Sequence, residues 1–200
     1  MKVAIILGSI RIGRQSHKIA YYLEKKIQQK GIEVMMIDLA EHPLPMMEED
    51  NGKIRTAADD ISTIGTQLKE ADAMILVSPE YHGSFSGVLK NALDFYWPEF
   101  KKKPIGVVTT GSGKMGGINA STQMQHVVLS LGAYPLPTKL LIPEIQHAFN
   151  EQFEPLREDI VRMTDRFINE FSWFADAIVK AKGEQSEKIF SNLHNKDGQL

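Results

Sequence analysis

Cysteine is absent from the 200-residue chain. That excludes a disulfide framework, a thiolate nucleophile and any Cys-ligated metal or cluster. Excess charge of one sign is also lacking: 23 Lys and Arg stand against 25 Asp and Glu, for a net charge of −2. With the two signs interspersed, a polyanion or nucleic-acid partner is not expected. No apolar run approaches the ~20 residues of a membrane span. The apolar part of the N-terminal MKVAIILGS covers only Val3 to Leu7, shorter than the ~7–15 residues of a signal-peptide core. It reads as the first strand of a cytoplasmic protein. The six His, at 17, 42, 82, 126, 147 and 194, show no HExxH or similar ligand spacing, so no metal site is expected. The acidic run Glu48, Glu49 and Asp50 reads as solvated surface, and Lys101–Lys103 as an exposed linker.

What is present is an alternation of strand-like and helix-like segments. Lys2–Leu7, Glu33–Asp38, Ala73–Val77, Ile105–Thr110 and Pro137–Ile142 are short apolar runs. Between them, apolar residues recur at helical spacing: Ile19, Ala20, Leu23 and Ile27; Ala57, Ile61, Ile64 and Leu68; Val88, Leu89, Ala92 and Leu93; Ala120, Met124, Val127 and Leu131. Gly31 and Gly132 are placed to end two of these helices, and Pro98 to stop a third. A long final helix follows, from Leu156 to Ile178. Five βα units of this kind imply one domain with a mostly parallel sheet covered on both faces. The domain is expected to span 1–182, with 183–200 a polar C-terminal tail. Ligands of such sheets bind beyond the carboxyl ends of the strands.

Three loops at those ends are rich in Gly and Ser. Gly8–Ser16 (GSIRIGRQS) combines hydroxyls at Ser9 and Ser16 with cations at Arg11 and Arg14, directly before a helix N-terminus. That combination suits a phosphate group. For Ser16, a plain N-cap role is the alternative. The Gly8–Gly13 spacing matches a P-loop, but Arg14 and Gln15 stand where Lys and Ser/Thr belong. The dinucleotide fingerprint is missing too, because Ile10 occupies the place of its second glycine. A monophosphate remains, and FMN is the commonest such ligand in a sheet of this size. The second loop, Ser78–Gly87 (SPEYHGSFSG), is more elaborate than a connector needs. The third, Thr109–Gly117 (TTGSGKMGG), offers hydroxyls at Thr109, Thr110 and Ser112 among its glycines.

These motifs resemble those of the NADPH-dependent FMN reductase family, which includes quinone, azo-dye and chromate reductases. The matching stretches are Gly8-Ser9-Ile10-Arg11, Pro79-Glu80-Tyr81-His82-Gly83-Ser84-Phe85-Ser86-Gly87 and Leu89-Lys90-Asn91-Ala92-Leu93-Asp94. Two positions depart from the family pattern: His82 stands where Asn is commoner, and Ser86 where Pro is commoner. The resemblance implies a flavodoxin-like three-layer α/β/α sandwich with five parallel strands in the order 2-1-3-4-5. It implies that Ser9, Arg11 and Ser16 hold the FMN phosphate. It implies that Pro79, Glu80, Tyr81, His82, Gly83 and Ser84 line the isoalloxazine, with Ser112 and Gly113 nearby. For Glu80, a structural ion pair or a subunit contact is favoured over proton transfer.

No catalytic side chain is assigned, since the flavin carries the chemistry. The implied activity is an FMN-dependent oxidoreductase that takes hydride from NADPH or NADH. It passes electrons to a small-molecule acceptor: a quinone, an azo compound, a metal oxyanion or free flavin. A flavodoxin-type electron carrier is the alternative, and a flavin-free descendant a further one. The aromatic residues Phe95, Tyr96, Trp97, Trp173 and Phe174 motivate a homodimer or homotetramer.

Overall fold

A computed structural model describes residues 1–47 and 58–197, with the side chains of 58–60 and 185–197 left aside. Parallel strands β1 (Lys2–Leu7), β2 (Glu33–Asp38), β3 (Ala73–Tyr81), β5 (Pro104–Thr110) and β6 (Tyr134–Ile142) lie side by side in the order β2-β1-β3-β5-β6. A sixth strand, β4 (Ser84–Phe85), is two residues long and pairs antiparallel with the end of β3. The expected five-strand order therefore describes the main path, and β4 is an addition to the strand count.

Helices α1 (Ser16–Gln28) and α6 (Glu158–Asp197) cover one face of the sheet. Helices α2 (Ala58–Glu70), α3 (Gly87–Phe95), α4 (Trp97–Phe100) and α5 (Ile118–Ser130) cover the other. Successive strand residues alternate between these two cores. Val3, Ile5 and Leu7 face the α1/α6 side, while Ala4 and Ile6 face the α2/α3 side. Both faces are apolar, so the strands read as continuous hydrophobic runs. Each fully buried aliphatic or aromatic side chain contributes about 1.5–3 kcal/mol.

Several boundaries differ from expectation. Strand β3 runs on from Val77 to Tyr81, because Glu80 and Tyr81 gain antiparallel partners in Phe85 and Ser84. Helix α6 passes through Gly183 and ends at Asp197. Pro98 does not simply stop a helix; it sits in the first turn of the short α4, where a missing N–H does no harm. Lys103 departs most from its expected place in an exposed linker. It is buried, and its Nζ donates to the carbonyls of Leu68 (2.5 Å) and Lys69 (3.0 Å) at the end of α2. The acidic run Glu48–Asp50 lies outside the described residues.

The aromatic set behind the expected self-association also divides. Tyr96 is buried and donates its hydroxyl to the carbonyl of Ile61. Phe95 and Phe174 pack against opposite cores. Only Trp97 and Trp173 are exposed, at 65% and 70%, and they lie on helices that cover opposite faces of the sheet.

Candidate functional site

The three expected loops converge at the carboxyl ends of β1, β3 and β5. Between them lies a cleft of about 340 Å³. Seven of the expected residues line it: Ser9, Arg11, Ser16, Pro79, Glu80, Tyr81 and Ser112. His82, Gly83, Ser84 and Gly113 do not. Thr110, Gly111 and Gln15 line it as well.

The first loop is held by a charge pair hidden in the sequence. Arg14 donates through both terminal nitrogens to the carboxylate of Asp38, at 2.5 Å each, and also to the carbonyl of Ser9 at 2.6 Å. The Asp38 side chain is 1% exposed. Its hydrogen bonds raise the pKa of Arg14 above the ordinary range. Arg14 therefore fastens the loop to the end of β2 and is not a free phosphate ligand. Arg11, three residues earlier, is exposed and lies over the ring of Tyr81, 5.1 Å from its centroid.

Helix α1 opens on the same cleft. Its N-cap residue, Gln15, makes no side-chain cap, and Ser16 is the first helical residue rather than the cap. The Ser16 hydroxyl instead meets that of Thr110 at 2.8 Å, tying α1 to β5. The helix thus presents uncapped N-terminal amides, and the positive end of its dipole, to the cleft. Beside this end, burial lowers the pKa of His17, whose ring packs edge-on against Phe153.

The second loop is a β-hairpin. Glu80 pairs with Phe85 and Tyr81 with Ser84, leaving His82 and Gly83 as a two-residue turn. Both have positive φ, 52° and 79°. A two-residue hairpin turn with both angles positive favours Asn-Gly, and His is among the residues that tolerate this region. The family's Asn and this chain's His thus serve one backbone need.

The hairpin is clamped onto α5. Glu80 accepts from the backbone N–H of Ala120 at 3.0 Å, in the first turn of a helix whose N-cap is Gly117. Gln123 donates to the carbonyl of Gly83 and accepts from the Ser84 hydroxyl. Glu80 therefore neutralises a helix N-terminus, which fits a structural part better than proton transfer.

The hairpin and the first loop are also joined. Ser86 caps α3 by accepting from Leu89 N–H, and its hydroxyl donates to the carbonyl of Gly8 at 2.5 Å. A Cβ at Gly8 would lie 2.5 Å from Cβ of Leu89. Gly8 lets β1 meet α3 closely. Proline at position 86 could not make the hydroxyl bond.

In the third loop, Thr109 is fully buried, and its hydroxyl is engaged with the carbonyls of Gly116 and Gly117. Of the three hydroxyls proposed there, Ser112 alone faces the cleft without a side-chain bond to another element. Gly113 shapes the loop by accepting from Glu144 N–H through its carbonyl. Among the described residues no cluster of His, Asp and Glu is suited to hold a metal.

The sheet, its two-sided helical cover and a cleft at the carboxyl edge define a flavodoxin-like α/β protein. Solved structures of that class superpose on it. The flavoenzyme NAD(P)H:(acceptor) oxidoreductase FerB from Paracoccus denitrificans gives a TM-score of 0.74 at 23% identity, covering 90% of this chain and 97% of that one. An archaeal flavodoxin gives 0.60 at 14% identity, covering 89% and 99%. In sequence, the model of the NADPH-dependent FMN reductase family matches residues 1–147. An FMN-dependent NADPH-azoreductase of Staphylococcus aureus is 37% identical over 159 residues, 76% of this chain and 81% of that protein. The corresponding protein of Staphylococcus saprophyticus is 35% identical over 146 residues, 70% and 76%. The chain belongs to the NADPH-dependent FMN reductase family. It is an enzyme of the flavin-dependent NAD(P)H reductase type, with FMN as its cofactor.

Proposed function

We propose that this reductase carries FMN in the cleft between the first and third loops and passes electrons from NADPH to a small aromatic acceptor such as an azo compound or a quinone. The observation that carries the reading is the cleft wall. A helix N-terminus without a side-chain cap, the 2%-exposed Ser9 and an arginine that no carboxylate among the described residues engages converge there. That donor set fits a phosphate monoester. Bound FMN supplies the hydride and electron chemistry.

The chain's own residues bind and orient. Ser9, Arg11 and Ser16 face the phosphate. Pro79, Glu80 and Tyr81 form a stiff edge, because β3 continues through them and Glu80 is fixed to α5. His82, Gly83 and Ser84 hold that edge in place from behind. Ser112, presented by the loop that Gly113 shapes, faces the opposite side. No proton-transfer residue is required of the protein.

Arg11→Ala tests the phosphate assignment. Loss of a charge-assisted bond of about 1.5–3 kcal/mol should weaken FMN binding roughly ten- to a hundredfold. Riboflavin, which lacks the phosphate, should bind the variant and the native protein alike. Equal losses for both ligands would count against the assignment.

For self-association, two adjoining depressions of about 630 and 400 Å³ between α3 and α5 support a homodimer. They share Lys90, His126 and Val127, and exposed Trp97 borders the second. Val127→Asp should yield a monomer in light scattering. A native protein already monomeric at micromolar concentration would refute the dimer.

A further inference from the structure

A second cavity, of about 540 Å³, lies on the other side of the Arg11–Tyr81 contact. Arg11 and Tyr81 line both it and the cleft, so this pair is their common wall. The second cavity is bounded by Ile10, Leu39, Pro43, Leu44, Met46 and Val88. We infer that it is a separate subsite for a neutral aromatic group, and that it receives a ring of the acceptor. Its role in turnover rests on the reductase reading above; its capacity to bind does not.

Three features select that ligand. The size suits a one- or two-ring molecule. Two polar side chains on the wall, Ser86 and Asn91, are already engaged. Ser86 gives its hydroxyl hydrogen to Gly8, and Asn91 donates to the carbonyl of Pro45 (2.8 Å) and accepts from Met47 N–H (2.9 Å). A ligand rich in hydrogen-bonding groups would find few partners and would pay the desolvation of its own. Arg11 lies over the Tyr81 ring, 5.1 Å from its centroid, so the dividing wall brings an aromatic side chain to the cavity. The Asn91 bonds also fix the Pro45–Met47 wall to α3. The chamber is thereby built into the fold rather than left between loops.

The test uses the FMN-loaded protein and 2-naphthol, a neutral ring system that a flavin does not reduce. Its binding is followed by naphthol fluorescence. The native protein should bind it with FMN in place, because the two cavities are separate. Val88→Trp should weaken binding by about tenfold or more by filling the chamber. Met46→Glu, at a 75%-exposed rim position where folding is not at stake, should weaken it about fivefold by placing a charge on the apolar wall.

Absence of binding to the native protein would overturn the inference, as would equal binding by both variants or competition between 2-naphthol and FMN. Tighter binding of 2-naphthalenesulfonate would also overturn it, since that result makes the chamber a site for anions rather than neutral rings. Binding that vanishes as protein concentration rises would assign the chamber to a second copy of the chain and overturn it too. A protein whose flavin is not bleached by NADPH would defeat the reductase reading while leaving the naphthol result to stand or fall by itself.

Discussion

Arg14 at the carboxyl edge of the sheet and Lys103 at the amino edge are stabilised in opposite ways. At the carboxyl edge Arg14 meets a buried carboxylate in a two-pronged bond, which keeps it charged and pins the first loop. At the amino edge Lys103 has, among the described residues, no carboxylate within bonding distance and leans on the last carbonyls of α2. Burial and the nearby charge of Lys182 push its pKa down to about 8. A helix C-terminus is a weaker partner than a carboxylate. The comparison separates the edge proposed to hold a preformed anion site from the edge that need only close the fold.

Removing Arg14 should give the largest effect. Arg14→Met leaves Asp38 buried and unpaired, which costs about 3–5 kcal/mol. Denaturant unfolding should show it, together with loss of FMN binding. Adding Asp38→Asn should restore much of the stability; if it does not, the pair is not the anchor.

Gly8→Ala comes next. The new methyl group meets Leu89 Cβ and should force β1 and α3 apart, lowering stability by about 1–3 kcal/mol. FMN affinity should fall with it, because the loop and the hairpin are joined at that point. A loss of stability with unchanged affinity would uncouple them.

Lys103 should give a smaller effect, and one confined to pH. Its folded pKa of about 8 lies below its ordinary 10.5. Between those values the unfolded chain binds the extra proton, so the native protein gains stability as pH rises through that window. Below pH 8 both states are protonated and the burial penalty is present in full. Lys103→Met should remove this rise without altering FMN affinity. A variant that keeps the slope would show that another group titrates there.

His82 should matter least. His82→Asn keeps a residue suited to positive φ and should be neutral or stabilise by a few tenths of a kcal/mol. His82→Val should destabilise by about 1–2 kcal/mol, since a branched side chain resists that region. Loss of FMN from the Asn variant would instead give the imidazole a direct part.

The fold was readable where local rules decide it. The five apolar runs, the Gly31 and Gly132 stops and the three convergent loops follow from periodicity and turn chemistry. What was not readable depends on partners far along the chain. Arg14 looked like a phosphate ligand because Asp38 lies 24 residues away. Lys103 looked like one of three surface lysines because the carbonyls of α2 that it caps lie about 35 residues earlier. The hairpin was missed because Glu80 and Tyr81 read as loop residues until Phe85 and Ser84 pair with them. His-Gly is also a weaker turn signal than Asn-Gly. The continuation of α6 was hidden by Gly183, which a long helix absorbs at a loss of about 1 kcal/mol relative to Ala.

The central claim is that the carboxyl-edge cleft holds FMN and that the bound flavin accepts electrons from NADPH. Anaerobic titration of the FMN-loaded protein with NADPH, followed by visible absorption, tests it most directly. Complete bleaching of the flavin bands at one equivalent of NADPH, and their return on adding a quinone, is the expected result. A flavin that stays oxidised with excess NADPH yet is bleached by dithionite would contradict the claim and leave an electron carrier in its place.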